Sequence, residues 1–140
     1  MSYTVLNSAM SSTLLSDPEV AGLFSADADL VAMLDFEAAL AEAEAEAGVF
    51  SSRLAQQIAA ACRGFRPDMV RLDAGISRDG MAVPDLVAQL REAIGTEASK
   101  YLHFGATSQD VIDTSLTSRL QRVNQILEPR LLNVCASLAH

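Results

Sequence analysis

Residues 33–48 read Met-Leu-Asp-Phe-Glu-Ala-Ala-Leu-Ala-Glu-Ala-Glu-Ala-Glu-Ala-Gly, a run of strong helix formers that ends on a glycine. Apolar side chains recur here at intervals of three and four residues, so they share one face of a helix. The members of this apolar stripe are Leu30, Leu34, Ala38, Ala41 and Ala45. We therefore predict a long helix that is capped by Ser25, ends at Gly48 and allows close packing through its small alanines.

Four glutamates, at positions 37, 42, 44 and 46, interrupt the alanines of this helix. Clustered acids are potential metal ligands, but no histidine lies nearby along the chain to complete a transition-metal site. A solvated polar face is the better interpretation of Glu37, Glu42, Glu44 and Glu46. We predict no metal site.

Helical periodicity extends over most of the remaining chain, and no alternating strand pattern competes with it. A short first helix is expected from a cap at Ser16, with Pro18 and Glu19 in its first turn, to a stop near Phe24. Three further helices are expected at roughly 52–63, 67–77 and 84–94, separated by Gly64, Pro67, Gly80 and Pro84 and closed at Gly95. The sequence therefore predicts an all-α fold.

The last helical pattern runs from about Ser108 to the end of the chain, with Pro129 as a candidate kink. At 1.5 Å per residue such a helix spans roughly 45 Å, whereas a globule of this size is only about 30 Å across. We expect it to pack against helices elsewhere in a longer chain or in other subunits. Because the pattern stops in mid-helix at His140, we expect a truncated chain.

Composition narrows the class of protein. The chain has 140 residues, of which 50% are hydrophobic and 20% charged, enough for one domain with a real core. A net charge of −8 argues against a general nucleic-acid binder. Met1–Met10 lacks a secretion signal and no run of about 18 apolar residues occurs, which predicts a soluble cytoplasmic protein without a membrane partner. Cys62 and Cys135 match no zinc spacing, and we expect both to be reduced and buried.

Residues 103–114 read His-Phe-Gly-Ala-Thr-Ser-Gln-Asp-Val-Ile-Asp-Thr and join a loop to the last helix. Thr107 and Asp110 have the spacing of an N-terminal capping box, and a simple cap is one interpretation of the motif. A cap alone does not explain Ser108, the flexible Gly105 or His103. Together, two hydroxyls, free helix amides and the positive end of the helix dipole predict an anion site that fits a carboxylate.

His103 is the residue in this motif best suited to donate to a carboxylate or to move a proton near neutral pH. A structural histidine is the alternative for a single such residue. Asp113 and Thr114, one turn into the helix, are expected to support the motif by hydrogen bonding or packing.

The segment HFGATSQDVIDTSL, residues 103–116, resembles the first signature region of the fumarase/aspartase superfamily, which has a Thr-Ser-x-Asp-x-x-Asp-Thr core after a His-x-Gly. Residues 33–48 resemble the opening core helix of that superfamily. Residues 79–95, DGMAVPDLVAQLREAIG, resemble the branch of 3-carboxy-cis,cis-muconate cycloisomerases. Adenylosuccinate lyases share the Thr-Ser-x-Asp motif but usually place a histidine in the segment corresponding to 78–83, which here reads Arg-Asp-Gly-Met-Ala-Val, so they are the second interpretation.

This resemblance implies a cofactor-independent cycloisomerase of protocatechuate catabolism in the β-ketoadipate pathway, with a small tricarboxylate as substrate. It implies that His103, Thr107, Ser108 and Gln109 bind a substrate carboxylate while Asp110 keeps the site in shape, and it makes His103 the candidate for a catalytic role. Gly105, Asp113 and Thr114 would then have supporting roles.

The resemblance also implies a domain organisation. Residues 1–106 would form an N-terminal helical domain, and residues 107–140 the start of a central helical bundle. Superfamily members are homotetramers whose sites combine three subunits, and two further signature regions of the superfamily do not occur in this sequence. The chain alone is then expected to be a homo-oligomer without activity. A stand-alone helical interaction module is the alternative from a different functional class.

Overall fold

Helices make up most of the chain in the computed structural model, which describes residues 15–139. The α-helices are α1 (Pro18–Gly22), α2 (Ala26–Glu46), α3 (Ser52–Gly64), α4 (Met69–Asp79), α5 (Val83–Ile94) and α6 (Ser108–Leu138), with a 3-10 turn at Ala98–Lys100. No strand occurs within residues 15–139, and the predicted all-α fold is confirmed. The expectations for Met1–Met10 and for the chain end at His140 concern positions outside the described residues.

Local capping explains where α2 begins and ends, as predicted. The Ser25 hydroxyl accepts a hydrogen bond from the Ala28 amide at 3.2 Å. At the other end Gly48 adopts a φ of +80°, a conformation that glycine reaches without steric cost.

The predicted cap of α1 is wrong by one residue. Asp17, not Ser16, is the N-cap, and its carboxylate accepts from the amides of Glu19 at 3.1 Å and Val20 at 3.2 Å. A carboxylate is an equally good capping group and complements the helix dipole as well. The start of α4 shifts for the same reason, because Asp68 caps it and the helix begins at Met69.

The core lies where α2 packs against α3 and α6 and where α5 packs against α3 and α4. The apolar stripe of α2 faces this core as predicted, with Leu34, Ala38 and Ala41 buried and Leu30 and Ala45 packed at its edge. The buried apolar side chains of the partner helices are Leu54, Ala55, Ile58, Ala59, Cys62, Leu72, Val83, Leu86, Val87, Leu90, Ile94 and Val111.

The segment between α5 and α6 is fixed to the core at two points. Ala98 and Leu102 are completely buried, and Arg91 donates a hydrogen bond to the Leu102 carbonyl at 3.0 Å. The rings of Tyr101 and Phe50 stack with centroids 4.7 Å apart. This anchoring holds the loop residues that follow Leu102 in a defined position at the start of α6.

Only the first half of α6 contacts the core. Val111 and Ser115 are buried, whereas every described residue from Leu127 onward is exposed. Arg119 secures the contact between α6 and α2 by donating to the Asp29 carboxylate at 2.5 Å. The helix continues through Pro129.

The prediction of two buried thiols is correct for Cys62 and wrong for Cys135. Cys62 lies in the core on α3, and burial followed by the negative charge of Glu37 raises the pKa of its thiol to about 12. Cys135 lies on the part of α6 that extends beyond the core, so its sequence context of leucine and alanine does not bury it.

A close helix crossing generates the first prediction. Gly75 on α4 is buried, and a Cβ at this position would lie 2.6 Å from the Cβ of Asp85 on α5. Gly75→Ala should lower the free energy of unfolding by roughly 1–3 kcal/mol, because the added methyl group forces the two helices apart. Urea denaturation measures the change.

Gly64→Ala is the matched control for that substitution. Gly64 is also helical, but a Cβ at this position would meet no neighbouring group within 4 Å. Alanine should therefore raise stability there by up to about 1 kcal/mol through helix propensity alone. Equal denaturation midpoints for the two variants would contradict the close crossing.

Candidate anion-binding site at the start of the last helix

The predicted capping box is present at the start of α6. The Thr107 hydroxyl donates to Oδ2 of Asp110 at 2.7 Å, and the Thr107 amide donates to the same oxygen at 2.8 Å. In return the Asp110 amide donates to Oγ1 of Thr107 at 3.4 Å. The hydrogen bonds from Thr107, assisted by the charge of His103, hold the pKa of Asp110 below its ordinary value. Both side chains are therefore engaged with each other.

Ser108 and the first-turn amides are the groups left for a ligand. No hydrogen bond within the described part of the chain involves the Ser108 hydroxyl or the amides of Ser108 and Gln109. These donors lie at the N-terminus of a long helix, where the dipole favours an anion. The preceding Gly105 has a φ of +69° and is exposed, so the backbone can approach a bound group closely.

Gln109 and Asp113 bind each other on the first turns of α6. Nε2 of Gln109 donates to Oδ1 of Asp113 at 2.6 Å. Thr114 is exposed beside them. In this arrangement Asp113 positions the Gln109 amide, so a ligand would meet a side chain that is already oriented.

His103 makes the contact that the sequence did not predict. Its Nδ1 lies 2.6 Å from Oε1 of Glu37 on α2, a side chain that is only 1% exposed. The prediction that Glu37 belongs to a solvated face is therefore wrong. Glu37 lies three residues after Leu34 and four before Ala41, so it falls within the apolar stripe of α2 and faces the core.

Glu44 extends the same row of carboxylates, seven residues after Glu37. A Cβ on Gly105 would lie 3.8 Å from Oε1 of Glu44, which places this carboxylate beside the loop. Burial, and then the charge of Glu37, raise the pKa of Glu44. Oε2 of Glu37 and Oε2 of Glu44 are both buried without a hydrogen-bond partner. Glu42 and Glu46 are exposed, as predicted for a polar face.

One signal in the sequence could have found Glu37. A helix stripe that contains Leu34, Ala38 and Ala41 also includes position 37, and a carboxylate inside such a stripe needs a polar partner from another element. His103 is one of two histidines in the chain and precedes the most polar motif, so it was the candidate partner.

Metal-ligand clusters and membrane-spanning helices are both absent from the described part of the chain. Within residues 15–139 no three His, Cys, Asp or Glu side chains are placed to hold a metal ion. No described helix has both the length and the apolar composition needed to cross a bilayer.

Comparisons with known proteins identify the family of the chain. A family model described as lyase matches residues 3–140. The chain belongs to this lyase family. The solved structure of a fumarate lyase from Mesorhizobium sp. BNC1 superposes with a TM-score of 0.82 at 36% identity, covering 89% of this chain and 29% of that one.

Two curated relatives of this chain differ in their named activity. The 3-carboxy-cis,cis-muconate cycloisomerase of Pseudomonas putida is 38% identical over 87% of this chain and 30% of its own length. An adenylosuccinate lyase of Methanothermobacter thermautotrophicus is 37% identical over 84% of this chain and 26% of its own length. The chain thus spans less than a third of the length of these relatives.

The capping box generates the second prediction. Asp110→Asn should lower the stability of the chain at pH 7, because the neutral amide is a weaker acceptor for the Thr107 donors and complements the helix dipole less well. Since the folded-state pKa of Asp110 is depressed, its contribution is present above the ordinary value of about 3.9. It is lost as the pH falls through the lowered pKa.

Denaturation of wild type and variant at several pH values between 7 and 2 measures this difference. The two curves should converge in acid. Asp73→Asn, an exposed position on α4, is the control and should leave stability unchanged at every pH. If the difference in the free energy of unfolding between wild type and Asp110→Asn stays constant down to pH 2, the hydrogen bonds assigned between Thr107 and the Asp110 carboxylate are contradicted.

Proposed function

We propose that this chain is the N-terminal part of a cofactor-independent cycloisomerase that converts 3-carboxy-cis,cis-muconate to 4-carboxymuconolactone. The observation that supports it most directly is the set of unengaged donors at the start of α6, the Ser108 hydroxyl and two first-turn amides, next to His103. This is a carboxylate site in a lyase whose relative from Pseudomonas putida bears that name.

The proposed reaction closes a lactone within one molecule, and the substrate trianion takes up one proton from solvent, through a general acid, to give the dianionic product. A carboxylate oxygen of the substrate adds to one carbon of a conjugated double bond, and a proton is delivered to the neighbouring carbon. Negative charge develops on the carbon beside a second carboxylate and is delocalised into that group as an enediolate. Fixed donors at that position lower the barrier because they are already oriented.

The residues of the site would divide this work. Ser108 and His103 would bind the substrate carboxylate, with the backbone amide of Gln109 as a further donor. Thr107 would take part through the shape that its bonds to Asp110 give the first turn. We assign the general acid and base to parts of the enzyme outside this sequence.

The same proposal covers assembly. Residues 1–106 would be the N-terminal domain and residues 107–140 the start of a bundle helix that packs against other subunits of a homo-oligomer in the cytoplasm. The exposed leucines on the far half of α6 support this, because monomers rarely expose contiguous apolar patches of this kind. They are Leu127, Leu131, Leu132 and Leu138. The isolated chain would then lack activity.

Adenylosuccinate lyase is the second candidate function. The relative with that name is 37% identical, against 38% for the cycloisomerase, so identity alone separates the two poorly. Both substrates contain carboxylates that the same site would bind. A non-catalytic interaction module would use the exposed face of α6 instead.

The third prediction tests the reaction with the complete protein that contains this chain. Loss of the conjugated diene of 3-carboxy-cis,cis-muconate is followed by absorbance, and Ser108→Ala should reduce kcat/KM by about tenfold or more, the effect of losing a hydrogen bond to a charged group. Ser77→Ala, an exposed serine on α4, is the matched control and should retain full activity.

Adenylosuccinate is the alternative substrate in the same assay. Its turnover without diene loss would overturn the cycloisomerase proposal in favour of the second candidate. If neither substrate is turned over, the result would favour the non-catalytic interaction module.

The fourth prediction concerns association of this chain. Size-exclusion chromatography with light scattering should give a mass above that of a monomer, because the apolar face of α6 is buried on self-association. Leu131→Glu with Leu132→Glu should shift the chain to a monomer. A monodisperse wild-type monomer at high concentration would contradict this part of the proposal.

A further inference from the structure

Glu37 is a buried carboxylate whose burial needs an explanation. Its side chain is 1% exposed on a helix whose neighbouring stripe residues are leucine and alanine. An isolated charge in such surroundings is strongly destabilising unless it is partnered. Nδ1 of His103, at 2.6 Å, is its hydrogen-bond partner among the described residues, and Oε2 has none.

The charges around this pair are mostly negative. Glu44 on the same helix is a second acid, and Asp110 lies across the loop within electrostatic reach of His103. On α3 the charge of Glu37 also acts on the buried thiol of Cys62, whose pKa is raised by burial and then by that charge. Arg91 on α5 binds the Leu102 carbonyl and not either side chain of the pair. The imidazole is therefore the group that can offset the charge of Glu37.

The backbone at His103 is as unusual as its partner. Its φ is +57°, a left-handed conformation that no other non-glycine residue adopts among the described residues. This conformation is strained for a residue with a Cβ, because the side chain crowds the backbone. Such strain persists where surrounding contacts impose it. Here Glu37 holds the ring of His103, and the preceding residue, Leu102, is fixed in the core.

The two ring nitrogens are thus placed differently. Nδ1 is hydrogen-bonded to Glu37. Nε2 has no hydrogen-bond partner in the described chain, and it is not among the buried polar atoms that lack one. A histidine whose one nitrogen is held by a carboxylate presents the other in a fixed direction and tautomer.

We propose that Glu37 is the positioning residue of this site: it accepts the Nδ1–H bond of His103 and thereby presents Nε2 to a substrate carboxylate. The proposal rests on the proposed function for the identity of that carboxylate. When Nε2 also has a proton, the charge of Glu37 balances the imidazolium, so a substrate anion meets a neutral pair with an oriented donor and not a bare buried acid.

The first experiment needs no substrate. The chain has two histidines, His103 and His140, so ring nitrogens labelled with 15N are readily assigned with a His140→Asn variant. Long-range 1H–15N spectra of this chain between pH 6 and 9 should show a proton on Nδ1 of His103 throughout. A neutral His103 ring with its proton on Nε2 and none on Nδ1 would overturn the proposal.

The second experiment uses the complete protein and compares Glu37→Gln with Glu37→Leu. Glutamine keeps an acceptor of the same size but no charge, whereas leucine keeps only the volume. KM should rise by about tenfold in Glu37→Gln and further in Glu37→Leu, while kcat falls less, because a binding donor is misoriented. The partial retention in Glu37→Gln distinguishes positioning from a general packing role.

Glu46→Gln is the matched control, since Glu46 is exposed on the same helix. It should leave KM and kcat unchanged. Circular dichroism and thermal unfolding establish that each variant is folded, and a variant that does not fold leaves the 15N result on the wild type as the deciding measurement.

The outcomes separate this inference from the proposed function. If the wild type turns over 3-carboxy-cis,cis-muconate and Glu37→Gln has the KM of Glu46→Gln, the positioning role is wrong and the function stands. If no substrate is turned over but Nδ1 is protonated and the Nδ1–H signal disappears in Glu37→Leu, the ring is positioned as inferred and the proposed substrate is wrong.

Discussion

The packing of α2 between α3 and α6 is the constraint on which the rest of this structure depends. Its alanines let the neighbouring helices approach closely, and close approach brings three acids of one helix to the loop and to α6. Asp29 receives Arg119, Glu37 receives His103, and Glu44 lies beside Gly105. A single helix face therefore supplies both the apolar contacts of the core and the polar contacts that position the site.

Within the site, local and tertiary hydrogen bonds have separate effects. The capping box uses Thr107 and Asp110 on each other, so it sets the direction of the first turn and leaves Ser108 open. The tertiary bond from Glu37 sets the orientation of His103. A ligand would meet donors whose geometry is already determined, which lowers the entropic cost of binding.

The sequence predicted what depends on neighbours along the chain. The helix at residues 26–46, its cap at Ser25 and the capping box at Thr107 follow from local rules, and they are confirmed. The cap of α1 was misplaced because Ser16 and Asp17 are adjacent and both are suitable. The burial predicted for Glu37 and Cys135 was wrong because burial depends on elements distant in sequence. Glu37 is buried because a histidine 66 residues away is its hydrogen-bond partner, and Cys135 is exposed because α6 extends beyond the helices it packs against.

The extension of α6 past the core has a consequence for local opening. Amides of the buried turns around Val111 and Ser115 exchange with solvent only when the packing on α2 and α5 opens, whereas those beyond Leu127 are protected by helix hydrogen bonds alone. The ion pairs from Arg130 to Asp17 and Glu19 are exposed and add little. The 31-residue helix therefore has a gradient of stability along its length, and the donors of the site lie at its rigid end.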